Sequence, residues 1–378
     1  MMKCIDEIPA GELKGRRVLL RTGMDLPIDE QGNVSDIFRL ERSLPTVKFL
    51  SECGARTILA SKVGHKPHDK ISIAPVAEAL KKYVPVFFVP DLTGSMAHEA
   101  VGAMKDGEMI MIENVQRDPR EIAGDDSYAK ELSTLADLYV NDAFPSAHRG
   151  SATMVGVPKF LPSYAGLLMC DEVREIDAAR QPASPSFAIL GGAKFETKAP
   201  LIKLLLEKYD RLFITGALSN DVFKARGLEV GRSLISKELP GTEVLEHPHL
   251  LVPVDVTVER PDGSARVTKP GEMETDERMV DIGPDTVKML APHITNAKFI
   301  LWNGPTGIYE QGYDTYTGQL AALMSKSDAK VVLGGGDTVA AIEQAGVKMD
   351  GDVFISTGGG AMLEYLLKGT LPGIAVLG

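Results

Sequence analysis

Two glycine triplets near the C-terminus are the residues in this chain best suited to holding a polyphosphate. Gly334-Gly335-Gly336 runs into Asp337-Thr338, and Thr357 leads Gly358-Gly359-Gly360. Each follows a short apolar run, and each opens a helix-like stretch (338–344 and 361–367). Glycine lets a backbone approach closely, and the free amides and dipole of a helix start point at an anion. A triplet is a poor turn by itself, because each added glycine weakens an ordered backbone by about 0.5–1 kcal/mol. Asp337 reads both as a helix N-cap and as a ligand for a metal ion on the polyphosphate, and the two roles are compatible. Nucleotide chemistry is therefore the first reading.

A third cluster supports it. Gly191-Gly192-Ala193-Lys194 follows another strand-like run, and Lys194 and Lys198 share a face if the stretch is helical. A strand C-terminus is where open α/β sheets bind ligands, although most lysines are simply solvated. Asn303-Gly304-Pro305-Thr306-Gly307 follows the only tryptophan, Trp302, and precedes Glu310, a weak candidate for ribose hydroxyls. In the first half Arg21, Arg39, Lys62, His65 and Arg149 fall at or near strand ends and helix starts. Singly each reads as a surface charge; together on one sheet edge they read as a pocket for an anionic substrate. The GxxxxGK[ST] sequence and an early GxGxxG are absent, as are HExxH and any zinc spacing of the seven histidines.

The elements that must position these groups alternate almost throughout. Strand-like runs at 17–21, 57–61, 84–89, 109–113 and 138–141 are separated by helix-like stretches such as 40–51, 74–83 and 128–136. The second half continues with 187–190, 211–215, 250–258, 299–302, 331–333 and 353–356. Such alternation predicts parallel sheets covered on both faces. The fold class expected is α/β, with two doubly wound, Rossmann-like lobes joined by a hinge helix; a single TIM barrel is the competing architecture. The candidate boundary lies near 158–184, where Pro158, Pro162, Pro182 and Pro185 bracket an amphipathic helix-like stretch, 164–180.

The 378 residues suit two or three domains, and 44% hydrophobic with 25% charged content argues against disorder. A formal net charge of −11 disfavours nucleic-acid and membrane partners. Cys4, Cys53 and Cys170 are far apart, odd in number and without CxxC spacing, which reads as reduced thiols in the cytoplasm. No apolar run is long enough for a membrane span, and the N-terminus carries acids rather than a signal peptide's apolar core.

The chain resembles the phosphoglycerate kinase family over nearly its whole length. The matching strings are Ser43-Leu44-Pro45-Thr46-Val47, Glu113-Asn114-Val115, Val140-Asn141-Asp142-Ala143-Phe144, Ala147-His148-Arg149, Ile189-Leu190-Gly191-Gly192-Ala193-Lys194, Leu301-Trp302-Asn303-Gly304-Pro305, Gly334–Thr338 and Ser356–Ala361. The run Thr215-Gly216-Ala217-Leu218 and the compact loops look most like the archaeal branch. The resemblance implies an N-terminal acceptor-substrate lobe 1–163 that takes 3-phosphoglycerate, a hinge helix 164–182 and a C-terminal nucleotide-binding lobe 183–369 that takes ATP or ADP with Mg²⁺, with the tail at about 370–378 packing back on the first lobe. It implies catalytic roles for Arg39, Lys194, Gly358 and Gly359. Nucleotide contacts fall on Lys194, Lys198, Gly216, Asn303, Pro305, Glu310, Gly334, Gly335, Gly336, Asp337 and Thr338, with Asp337 also serving the metal. Acceptor contacts fall on Arg21, Asp25, Arg39, Lys62, His65, Gln116 and Arg149.

The departures from the family pattern cluster on the acceptor side. The family's Arg-Val-Asp-Phe-Asn string reads Arg21-Thr22-Gly23-Met24-Asp25 here, so Gly23 and Asp25 replace the aspartate and asparagine. Lys62 and His65 stand where the family has its histidine and a phosphate-binding arginine, and Gln116 replaces a second arginine. An arginine fork grips a phosphate in a way neither neutral His nor Gln does. Lys62, Lys66 and Arg117 are the candidates to compensate. The expected reaction is reversible transfer of the ATP γ-phosphoryl group to the carboxylate of 3-phosphoglycerate, in glycolysis and gluconeogenesis. A carboxylate needs no general base at pH 7, so catalysis is positioning plus charge stabilisation after lobe closure. The alternatives are a paralogous acyl kinase for another small carboxylate and a non-catalytic nucleotide-binding scaffold. A monomer or small homo-oligomer is expected.

Overall fold

The computed structural model describes residues 2–64 and 71–377, which divide into two compact units. One comprises the chain up to Arg174 together with the residues from Lys368 on; the other comprises Glu175–Leu367.

The first unit is built on β1 (Arg17–Thr22), β2 (Arg56–Ala60), β3 (Phe87–Val89), β4 (Met109–Ile112), β5 (Leu138–Asp142) and β6 (Ser163–Ala165). They form a six-stranded sheet in the order β3-β4-β2-β1-β5-β6, with every pairing parallel. β1, β2 and β4 are short strands centred on Leu, Ile, Val and Met. Parallel strands are buried on both faces, so they lack the polar alternation of a half-exposed sheet. Leu20, Leu59, Met111 and Val140 from four of them meet Leu44, Val47 and Leu50 of the helix Phe38–Glu52 in one core.

The second unit holds β7 (Ser186–Leu190), β8 (Arg211–Ile214) and β9 (Leu250–Leu251), then β10 (Val256–Glu259), β11 (Ala265–Thr268) and β12 (Arg278–Ile282), then β13 (Phe299–Asn303), β14 (Lys330–Gly334) and β15 (Val353–Ile355). Its main sheet is parallel and ordered β15-β14-β13-β7-β8-β9, while β11-β10-β12 form a separate antiparallel sheet. The main order is that of a dinucleotide-binding fold. The order in which strands are added reverses between β7 and β13, which places a crevice at the C-terminal ends of those two parallel strands. Two open sheets exclude the single barrel.

Three sequence expectations need correction. The run 250–258 is two strands in two different sheets, because Val252–Asp255 leaves the parallel sheet before β10 starts the antiparallel one. The helix expected from 164 begins at Leu167, since Tyr164 and Ala165 pair with Val140 and Asn141 as β6; it ends at Arg180. The third concerns the cysteines. Cys4 and Cys170 form a disulfide across a Cα separation of 6.2 Å, and among the described residues only Cys53 is free. Cys4 bridges to Ala165 in parallel, which brings the N-terminal segment beside the first turn of the helix carrying Cys170. Spacing of 166 residues along the chain gives no hint of that contact.

Near the C-terminus, the amide of Gly373 donates to the Ala147 carbonyl (2.8 Å), and Asn141 Nδ2 donates to the Gly373 carbonyl (3.1 Å). These bonds tie the short helix Pro372–Ala375 to the first unit. No described helix is long and apolar enough to cross a membrane.

Candidate active site

Five loops leave the C-terminal ends of β7, β8, β13, β14 and β15, and the glycines in them let neighbouring backbones touch. A Cβ on Gly191 would lie 2.7 Å from the Pro305 carbonyl oxygen, so only glycine fits between the β7 and β13 loops. The Gly191 amide donates to the Asn303 carbonyl at 2.7 Å, which closes the switch point between those strands. Thr338, fully buried, accepts from the Gly304 amide (2.7 Å) and donates to the Gly334 carbonyl (2.8 Å), joining the β13 and β14 loops. Gly335 caps the helix Gly336–Gln344 at φ 92°, a conformation open to glycine.

Beyond these loops lies a cleft of about 480 Å³ lined by Gly192, Ala193, Gly216, Pro305, Glu310 and Asp337 among others. Lys194 caps the helix Phe195–Lys208 from the left-handed region; its exposed side chain has no partner among the described residues. Among the described residues the Lys198 ammonium donates only to the Ala193 carbonyl, at 3.3 Å. Burial, and then the nearby Lys194 charge, hold the Lys198 ammonium below its ordinary pKa. An anion placed here relieves that repulsion. The amides of Gly336, Asp337, Gly359 and Gly360 have no acceptor among the described residues. This set of donors is suited to a polyphosphate.

Not every expected residue faces the cleft. The Gly358 amide is directed to Ser356 Oγ (3.2 Å), so the open amides of that triplet are those of Gly359 and Gly360. The Thr338 hydroxyl and the buried Asn303 join loops rather than line the cleft. Sequence reasoning missed Asp281, a buried carboxyl beneath the Gly-Pro-Thr-Gly loop that accepts from Thr306 Oγ1 at 2.7 Å. Burial pushes its pKa up to about 7. Tyr309 was missed too: burial, followed by the charges of Asp337 and Glu310, raises its pKa. Nothing in the local sequence marks either residue, since both depend on β12 and the 305–310 loop meeting.

The acceptor-side candidates lie in the first unit. Arg21 is 1% exposed; its Nε donates to Thr153 Oγ1 (3.1 Å), and its guanidinium also bonds the Thr22 carbonyl. Burial lowers its pKa, opposed by the charge of Glu121, which in turn grips the Thr153 amide and hydroxyl. Arg21 is therefore an internal strut and not a free ligand for substrate. Lys62 and Asp25, two of the departures from the family pattern, form an ion pair with each other. Burial lowers the Lys62 pKa, and Asp25 opposes the shift. Arg39 NH1 donates to the Asp25 carbonyl (3.1 Å), so the three residues form one group. Arg149 is exposed, and its charge depresses the pKa values of both Lys62 and Arg21. Gln116 is buried in the turn after Asn114, and Arg117 is bound to Glu113 at 2.7 Å, which removes Arg117 as a substitute. His65 and Lys66 lie outside the described residues. A Cβ on Gly23 would stand 3.3 Å from the Pro145 ring, so a side chain there requires that ring to give by a few tenths of an ångström.

With this geometry in place, comparison with known proteins is informative. Residues 5–369 match the family model for phosphoglycerate kinase. The chain belongs to the phosphoglycerate kinase family. A phosphoglycerate kinase of Granulibacter bethesdensis is 40% identical over 387 residues, covering 97% of each chain. The solved phosphoglycerate kinase of Coxiella burnetii aligns over 100% of this chain and 99% of its own, at 31% identity and a TM-score of 0.83. That of Pyrococcus horikoshii OT3 aligns over 100% and 98%, at 27% identity and a TM-score of 0.85. These figures do not sort the chain into an archaeal-like branch. The fold and the kinase class read from the motifs agree with all three phosphoglycerate kinases.

Proposed function

We propose that this protein transfers the γ-phosphoryl group of ATP to the carboxylate of 3-phosphoglycerate, reversibly, giving 1,3-bisphosphoglycerate and ADP. The observation that carries the reading is the convergence of glycine loops at the C-terminal edge of the second sheet, with Lys194 in the loop after β7 and amides without acceptors among the described residues at the helix starts after β14 and β15.

In the forward direction a carboxylate oxygen attacks the γ-phosphorus as the bond to the ADP oxygen breaks. The carboxylate is already ionised, so no side chain has to remove a proton. Lys194, Lys198 and the amides of Gly336, Gly359 and Gly360 would hold the donor phosphates, and Glu310 would meet the ribose. Arg39, Arg149 and Lys62 would orient the acceptor. Among the described residues no cluster of three His, Cys, Asp or Glu could cage a metal, and the exposed carboxylates lining the cleft are Asp337 and Glu310. That donor set fits Mg²⁺ arriving on the nucleotide, because Mg²⁺ is commonly held by one or two carboxylates plus substrate phosphates. Asp337 would hold it, and its charge would neutralise the polyphosphate. Donor and acceptor groups are carried by different units, so the reaction draws on residues of both. The helix Leu167–Arg180, in which one unit passes into the other along the chain, is the proposed hinge.

The proposal extends to a cytoplasmic monomer or small homo-oligomer; the net charge of −11 supports only the part of it that leaves out nucleic-acid and membrane partners. A coupled ADP-release assay with Mg-ATP and a panel of small carboxylates tests it. The expected result is turnover with 3-phosphoglycerate well above every other acid. Preference for another acid supports a paralogous acyl kinase, and nucleotide binding without turnover supports a scaffold; either result rejects the proposal.

A further inference from the structure

Lys194 is the only non-glycine residue with positive φ among the described residues (φ 65°, ψ 75°). For an ordinary side chain this conformation is strained and persists only where the surroundings over-determine it. The peptide joining Lys194 to Phe195 is fixed at both polar ends. Its carbonyl accepts from the Thr197 amide (3.1 Å) and hydroxyl (2.8 Å). Its N–H donates to Ser236 Oγ (2.8 Å).

Ser236 is itself held. Its hydroxyl donates to Asp221 Oδ2 and its amide to Asp221 Oδ1, both at 2.7 Å. Asp221 is fully buried on the helix Ala217–Ala225, directly after Asn220, whose Nδ2 donates to the Leu234 carbonyl (3.0 Å). Two consecutive residues of one helix therefore fasten the segment 234–236, and that segment fastens the peptide that sets ψ of Lys194. Burying a carboxyl is costly unless it is hydrogen-bonded, and Asp221 meets that condition through Ser236.

We propose that Asp221 and Ser236 are positioning residues for Lys194: they hold the Lys194–Phe195 peptide in the left-handed turn that aims the ammonium at the transferring phosphoryl group. The inference rests on the reading that Lys194 acts on the nucleotide phosphates.

The test is a kinetic double-mutant cycle on the full chain, with Mg-ATP and 3-phosphoglycerate, using Ser236→Ala, Lys194→Ala and the double variant. Ser236→Ala is expected to lower kcat about tenfold, with KM for 3-phosphoglycerate changed less than about twofold. Ser236→Thr, which keeps the hydroxyl, should retain about half of kcat or more. In the Lys194→Ala background, Ser236→Ala should cost less than about twofold, because the group it positions is gone. A wild-type kcat for Ser236→Ala, or a tenfold loss that persists without Lys194, overturns the inference. If Ser236→Ala does not fold by circular dichroism, Asp221→Asn is run through the same cycle with about a threefold loss expected. Wild-type kcat in Lys194→Ala rejects both the reading of Lys194 and the positioning role; an impaired Lys194→Ala beside a silent Ser236→Ala rejects the positioning role alone.

Discussion

The two units treat charge in opposite ways. In the second, the donors in the loops after β7, β14 and β15 have few partners among the described residues: Lys194 has none, Lys198 touches one carbonyl, and four amides at two helix starts have no acceptor. In the first, most of the cations are already engaged. Arg21 is bound to Thr153, Lys62 to Asp25, Arg39 to the Asp25 carbonyl and Arg117 to Glu113. A polyphosphate can therefore enter the second unit without breaking protein contacts, whereas a small anion in the first must compete with, or add to, bonds that the protein makes to itself. Backbone amides give a fixed cradle that tolerates little variation, while side-chain pairs can be exchanged together. That contrast explains why the departures from the family pattern gather in the first unit.

The strongest way to sharpen the contrast is to remove the acceptor-side arginine. Arg39→Ala should lower kcat on the order of a thousandfold while nucleotide affinity, measured by calorimetry, stays within about threefold. A variant retaining half its turnover removes Arg39 from the mechanism. Next in size is the Asp25–Lys62 pair, whose side chains are only 17% and 8% exposed. Lys62→Met leaves Asp25 without its partner and should destabilise the protein by about 3 kcal/mol in urea unfolding. Lys62→His with Asp25→Asn should cost less than the sum of the two single changes. Strict additivity would mean that the two departures are not coupled.

The donor side gives a pH test. The Asp281 carboxyl has a pKa of about 7 in the folded protein, against an ordinary value of 3.8, so folding favours its neutral form. Its contribution is complete below about pH 4 and is lost as pH rises through 7, on the order of 2 kcal/mol or more. Asp281→Asn should flatten stability between pH 5 and pH 8 relative to wild type; parallel curves for the two proteins would refute the assignment. The smallest effect belongs to Gln116→Arg. Because Gln116 is buried in its turn, KM for 3-phosphoglycerate should change less than about threefold. A tenfold fall would show that the pocket is missing a phosphate ligand.

Much of the nucleotide side was legible because strand, glycine run and helix start are adjacent in sequence, as in Leu333–Thr338. The same locality exposed its limits: Gly358 reads like Gly359, and only the fold shows its amide turned to Ser356. The acceptor side depends on contacts between distant segments. Asp25 and Lys62 are separately legible as departures, but their pairing arises where the segments after β1 and β2 meet. The Cys4–Cys170 bond and the Asp221–Ser236–Phe195 connection were invisible for the same reason. The antiparallel sheet was missed because one apolar run, 250–258, serves two sheets.

The central claim is that the glycine edge of the second unit receives the nucleotide. Titration calorimetry of Mg-ADP into the wild-type chain and into Gly191→Val tests it, since a side chain there would collide with the Pro305 carbonyl. The account predicts saturable one-site binding by wild type, and affinity weakened about tenfold or more in a variant that still folds. Absent binding by wild type, or equal affinity in folded Gly191→Val, would contradict it.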